Sequence, residues 1–229
     1  VQMFKNSGYW IDDRVYIEDV FSTYLYTGTG ATQTIVNGID LLTYGGMTWF
    51  KNRNGTLDHA VFDTSRGVTK SLRPNDTVAE ATEIDGLTNF NNNGFTIGNW
   101  SRVNYTTSDT YASWTFRKQA KFFDVVTWTG DGNAKTINHS LGSTPGCIII
   151  KATSTTSSWG VYHRSVSGYL LLNSTGALAT PTIVTATTDT TFSIIAGWND
   201  PSVTYVAYLF AHNAGGFGAS GTDNVISCG

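Results

Sequence analysis

Apolar and polar residues alternate along this chain in short runs, and no stretch sustains an apolar period of 3.6 residues. The first half holds the runs Phe21–Tyr26, Gln33–Val36, Met47–Lys51, Ala60–Asp63, Thr69–Leu72, Ala81–Phe90, Phe95–Gly98 and Tyr111–Arg117. Each is rich in β-branched and aromatic residues and bounded by turn formers, so the pattern predicts strands and almost no helix. Thr27-Gly28-Thr29-Gly30, Asn37-Gly38, Gly45-Gly46, Asn54-Gly55 and Asn91-Asn92-Asn93-Gly94 supply the residues that tolerate positive φ between them. In the run that closes the first half, Tyr111, Ser113 and Thr115 fall on one face, while Ala112, Trp114 and Phe116 fall on the other. A period of two places one face in a core and the other against different surroundings.

The runs are written twice. Phe21–Gly30 reads FSTYLYTGTG and Phe123–Gly132 reads FDVVTWTGDG, 102 positions later. Thr34-Ile35 matches Thr136-Ile137 at the same shift. With small deletions the series continues: Gly46–Lys51 with Gly146–Lys151, Val61-Phe62 with Val161-Tyr162, and Phe95–Ile97 with Phe192–Ile194. Both copies close on similar strands, Thr110–Phe116 and Thr204–Phe210. An ordered series of this kind predicts a duplicated unit, and many short strands at this spacing predict an all-β sandwich or jelly-roll. The expected organisation is a lead-in over 1–20, one β-sandwich over 21–118, a second over 119–212, and a glycine-rich connector over 213–229. Arg117–Lys121, the concentrated basic stretch, reads as a solvated linker between the units.

Composition fits strands and tight turns. Charged residues are 14% of the chain, against about a quarter in ordinary globular proteins. A net charge of −3 and a pI near 5.7 offer no basic field for a phosphate backbone, so nucleic acid is not an expected partner. No run of eighteen apolar residues exists, and none of the expected partners is a membrane. Val1-Gln2-Met3-Phe4 does not read as a signal peptide, and the chain reads as part of something longer. Cys147 and Cys228 allow a single bridge that a chain of this size does not need for folding. Cys147, in Cys-Ile-Ile-Ile, reads as a small apolar residue of a buried strand.

Glu18–Gly28, Asn37–Leu41, Gly46–Arg53, His59–Gly67, Tyr111–Lys118 and Asp223–Gly229 together resemble a repeat family in large tail-fibre-like virion proteins of marine and cyanobacterial phages. The resemblance runs from about residue 18 onward. It is close in the first copy and looser in the second, which keeps chiefly the opening, Pro145-Gly146, Lys151 and the closing strand. It implies a virion or extracellular location, a lectin-like (concanavalin-like) sandwich, and partners that are other virion subunits, further copies of the chain, or cell-surface polysaccharide. It supplies no catalytic residues.

The residues themselves point away from catalysis. Glu83-Ile84-Asp85 is similar to the acidic strand of jelly-roll glucanases, but Thr88 stands where the second glutamate belongs, and glycoside hydrolysis needs two carboxylates. His59, His139, His163 and His212 have no metal-ligand spacing, so neither metal nor cofactor is expected. Asp63 and Arg66 read as a structural turn pair. Carbohydrate sites combine an aromatic face with polar loop groups. That chemistry selects Trp100 and Asn104 before the last strand of the first copy, Trp198 and Asn199 before that of the second, and Trp159 after the Ser/Thr-rich loop Thr153–Ser158. The sequence therefore predicts a non-enzymatic adhesive module; a self-assembling scaffold, filament or capsid decoration protein is the alternative, and a polysaccharide-degrading enzyme a remote one.

Overall fold

The computed structural model describes residues 14–229, together with the backbone of a short antiparallel pair, β1 (Lys5–Asn6) with β2 (Tyr9–Trp10). The expected lead-in over 1–20 therefore lies partly outside the described residues. Its end is one helical turn, α1 (Ile17–Val20), with Val20 buried.

The alternating runs form antiparallel sheets. β3 (Phe21–Thr27), β5 (Gly46–Asn52), β6 (Ala60–Asp63) and β11 (Thr110–Arg117) make one sheet in the order β3-β11-β5-β6. A second sheet, β4-β10-β9, is built from β4 (Gln33–Val36), β9 (Leu87–Asn91) and β10 (Gly94–Ile97). Phe50, Phe62, Phe95, Ile97 and Tyr111 fill the space between them. A short pair, β7 (Lys70–Ser71) with β8 (Ala81–Thr82), lies alongside, and the turn α2 (Leu41–Tyr44) links β4 to β5. The run Ala81–Phe90 is thus two strands rather than one. Asp85-Gly86 breaks it, because Gly86 turns back to Glu83 and sits so close to Phe62 that a Cβ would lie 2.8 Å from the ring.

Further along the chain, β12 (Phe123–Thr129), β14 (Pro145–Ala152), β15 (Gly160–His163), β16 (Leu170–Leu171) and β19 (Thr204–Ala211) run in the order β12-β19-β14-β15-β16. β13 (Lys135–Asn138), β17 (Val184–Thr187) and β18 (Thr191–Ile194) form the sheet β13-β18-β17. Ile148, Ile150, Phe192, Ile194 and Leu209 pack between these two sheets.

A third apolar cluster explains the outward faces of the larger sheets. Met47 and Val61 on one sheet meet Phe123, Val125, Val206 and Tyr208 on the other, with Trp159 and Phe217 joining from loops. Phe116 is 5.5 Å from Phe123 and 5.6 Å from Phe210, centroid to centroid. The sheets therefore stack in four layers with three apolar seams, and β11 is covered on both faces. Each fully buried ring in the middle seam contributes about 1.5–3 kcal/mol from removal of apolar area from water.

Two segments expected to be loose are fastened. Arg117 is buried with its guanidinium 4.2 Å from the centroid of the Tyr44 ring, and Lys118 pairs with Asp124 at 2.9 Å. Of the stretch read as a solvated linker, Arg117 is packed and Lys118 and Gln119 are half-buried while Ala120 and Lys121 stay exposed, and Phe122 and Phe123 directly behind it enter the middle seam. Residues 213–229 fold back rather than running away as a connector. Phe217 is buried against Phe122, and the Gly218 N–H donates to Val15 O at 2.9 Å.

Candidate functional site

The polar residues singled out by the sequence turn inward. Asn104 is fully buried; its amide nitrogen donates to Ala31 O at 2.6 Å and Gly98 O at 2.9 Å, and its oxygen accepts from Thr29 N at 2.6 Å. Asn199, also fully buried, donates to Asp131 Oδ1 and Asn133 O, both at 2.8 Å, and accepts from Trp128 Nε1 at 3.0 Å. Both donors of each carboxamide are occupied. These side chains close the loops 28–32 and 130–134, each of which carries the chain from one sheet to another, and are not available to a ligand. Polar loop residues at this spacing serve loop closure as readily as binding.

Trp159 is likewise removed from the surface. It is 1% exposed, lies parallel to Tyr208 at 6.3 Å, and its Nε1 donates to Arg73 O and Asp76 O at 3.0 and 3.1 Å. It belongs to the middle seam. Trp100 is half-buried, edge-on to Phe62 at 6.2 Å. The Arg102 guanidinium sits 5.0 Å from its ring centroid and pairs with Asp58 at 2.9 Å, so a charged side chain already occupies that aromatic face.

Trp198 is different. It ends a 3-10 turn (Ala196–Trp198) and lies half-buried, edge-on to Tyr169 at 5.6 Å. Gly160 makes room for it, since a Cβ there would stand 2.5 Å from the indole. The indole borders a cleft of about 430 Å³ whose other walls are Tyr169, Tyr205, Leu171, Asp200 and the Thr155–Ser158 loop. That volume falls within the range of small-molecule sites.

The cleft is built on fixed parts. Tyr205 is buried, and its hydroxyl accepts from the Asp200 N–H at 2.9 Å. Burial pushes its phenol above the ordinary range, so it stays protonated. The loop wall is held from beneath by Lys151, a fully buried lysine whose Nζ donates to Ala152 O at 2.7 Å, Ser157 Oγ at 3.1 Å, Thr77 O at 3.3 Å and Thr155 O at 3.4 Å. Burial pushes its ammonium down to about 8, and Asp76 only partly offsets this.

Charged groups elsewhere are engaged in structural pairs. Arg66 Nε donates to Asp63 Oδ2 at 2.6 Å, the Arg66 N–H donates to Asp63 Oδ1 at 2.9 Å, and the Tyr208 hydroxyl donates to Asp63 Oδ2 at 2.7 Å across the middle seam. A second crevice, of about 440 Å³, opens between Ser65, Glu80, Thr127, Trp128 and Thr204, but its Arg66 and Glu80 are paired with each other at 3.1 Å. Glu83 lies 4.0 Å from the Arg73 guanidinium. Among the described residues no group of three or more His, Cys, Asp or Glu is placed to hold a metal ion.

Sequence reasoning did not select Tyr169, Tyr205 or Tyr208. Alternation assigns Tyr205 and Tyr208 to opposite faces of their strand but does not say what faces them, and Tyr169 has no local signal. A family model described as a domain of unknown function (DUF7483) matches residues 17–224. Neither a curated protein nor a solved structure matches the chain.

Proposed function

The chain belongs to the DUF7483 family of domains of unknown function, and we propose that it is a non-enzymatic structural and adhesive module of a phage virion whose cleft beside Trp198 takes a neutral stretch of cell-surface polysaccharide. The cleft carries this reading. Trp198 and Tyr169 offer rings to the C–H face of a sugar, while Thr155–Ser158 and Asp200 offer partners for its hydroxyls. Asp200 gives the cleft an acidic wall, and among the described residues no Lys or Arg lines it, so an uncharged saccharide matches it better than a sulfated or uronate one. Because Lys151 and Gly160 hold the walls in place, little ordering entropy opposes binding.

The virion assignment rests on the resemblance of residues 18 onward to tail-fibre-like repeat proteins. It also rests on reading the chain as two copies of one jelly-roll-like, concanavalin-like sandwich. Matching strand orders support the duplication: β3-β11-β5-β6 beside β12-β19-β14-β15, and β4-β10-β9 beside β13-β18-β17. Asn104 and Asn199 fastening corresponding inter-sheet loops support it further. On this reading the copies have diverged. Arg102 covers the Trp100 face in the first, and the second keeps an open cleft.

Host-derived neutral glycans on an array, followed by calorimetric titration of the hits, test the proposal. Trp198→Ala is expected to weaken binding at least tenfold, equivalent to ~1.4 kcal/mol, while Trp100→Ala leaves it unchanged. Silence of the folded wild-type chain across such an array would sink the adhesive part. The rival self-assembling scaffold draws support from Leu170, exposed on the edge strand β16, and Leu172, exposed in the turn that follows it. In that case the wild-type chain forms concentration-dependent oligomers that Leu170→Lys disperses.

A further inference from the structure

The two cysteines stand 81 positions apart in the chain, yet the fold brings them to one place. In β14 the register with β19 slips between Pro145 and Cys147, so Gly146 is the extra residue of a bulge. Simple alternation would put Gly146 and Cys147 on opposite faces; the bulge cancels it. A Cβ built on Gly146 would lie 2.7 Å from the Cβ of His212, two positions beyond Phe210 and so, by alternation, on the same outward-facing row. Cys147 pairs with Phe210 on that same row. Gly146 and Cys147 therefore look toward the same side.

Cys228 arrives at that side from the returning segment 213–229. Its Cβ and Sγ are both 2.9 Å from the point a Gly146 Cβ would occupy, so Cys228 fills the space left by the glycine next to Cys147. Its N–H donates to His212 Nδ1 at 3.0 Å, and its thiol donates to Ala211 O at 3.3 Å. Both cysteines are free thiols, each half-buried. The path back to the body is also fastened upstream, by Asn213 N donating to Ile226 O at 3.0 Å and Gly215 N to Asn224 Oδ1 at 2.8 Å.

We propose that Cys147 and Cys228 are a latent disulfide pair that locks segment 213–229 onto the β14 bulge when the protein meets an oxidising environment. The co-reactant is a small disulfide such as oxidised glutathione. The Cys228 thiolate, the more exposed of the two, attacks one sulfur of the reagent and expels the first small thiol. The Cys147 thiolate then attacks Cys228 Sγ, forming the Cys147–Cys228 bond and expelling the second. The protein loses two electrons, the reagent gains them, and the two thiol protons leave on the two small thiols. Burial raises both thiols, Cys147 to about 12 with Cys228 adding to the effect, so the pair is sluggish at neutral pH and closes faster as pH rises.

The full chain, purified reduced, is incubated with oxidised glutathione at pH 7 and pH 9. Free-thiol titration, intact mass and non-reducing peptide mapping give the readout. The expected result is a monomer that loses both free thiols and two hydrogens, carries a Cys147–Cys228 cross-linked peptide, forms it faster at pH 9, and melts about 5 °C higher. Amide exchange across 213–229 slows in the oxidised form, and Cys228→Ser, which retains the reduced fold, shows none of these changes. Glutathione remaining on Cys228 alone, disulfide-linked dimers, or two persisting thiols in a folded chain would each overturn the proposal.

Discussion

At the scale of single residues, Lys151 carries the most unusual load. Its ammonium is buried among carbonyls and a hydroxyl, with no carboxylate of the described residues in contact, and burial holds its pKa at about 8, below the usual 10.4 or so. Between those two values the unfolded chain keeps the proton while the folded chain releases it. The Lys151 contribution to stability therefore rises with pH across that window and is least favourable below pH 8. Cys147 and the buried Tyr208 act in the opposite sense, since their folded pKa values are raised. The expected outcome is accordingly a difference: urea midpoints of wild type minus Lys151→Met increase from pH 8 to pH 10. A flat difference would show that the lysine titrates normally. The residue was legible as a strand position matching Lys51, but its burial was not. Lys51 stays half-exposed and donates only to Gly55 O and Leu57 O.

At the scale of elements, local chemistry accounts for where strands begin and stop. Asn37-Gly38, with Gly38 at φ +85°, ends β4 as its residue types require. The mistaken continuous strand over Ala81–Phe90 shows the limit, because the turn at Gly86 is enforced by the Phe62 ring from another strand. The cleft depends on a similar close approach. Gly160 opens β15 directly beneath Trp198, and an added methyl would meet the indole at 2.5 Å and Ile183 at 2.7 Å. Gly160→Ala is therefore expected to cost about 1–3 kcal/mol in stability through overpacking. It should also blue-shift or quench tryptophan fluorescence as the ring is displaced. Unchanged emission together with unchanged stability would show that Trp198 is not held by this contact.

At the scale of the whole molecule, the middle seam joins what the sequence presents as separate units. Phe116, Phe123, Phe210, Trp159 and Tyr208 pack there, and Asp63, Arg66 and Tyr208 hydrogen-bond across it. The Tyr208 hydroxyl donates to the Asp63 carboxylate at 2.7 Å and accepts from the Arg66 guanidinium at 3.3 Å, so charge-assisted hydrogen bonds as well as apolar area couple the two larger sheets. A single cooperative calorimetric transition is expected, with calorimetric and van't Hoff enthalpies equal. Two resolved transitions, one for each half of the chain, would show that the seam does not couple them.

The sequence alone determined the all-β character, most strand positions, most turns and the paired motifs, because alternation and positive-φ residues act over a few neighbouring positions. Tertiary structure alone decided what the outward faces meet. That choice turned Trp159 into a seam residue, drew Asn104 and Asn199 inside, left Trp198 bordering a cleft, and set Cys228 beside Cys147. Each of these depends on segments distant in the chain, and no local pattern records which surface a strand's second face will find.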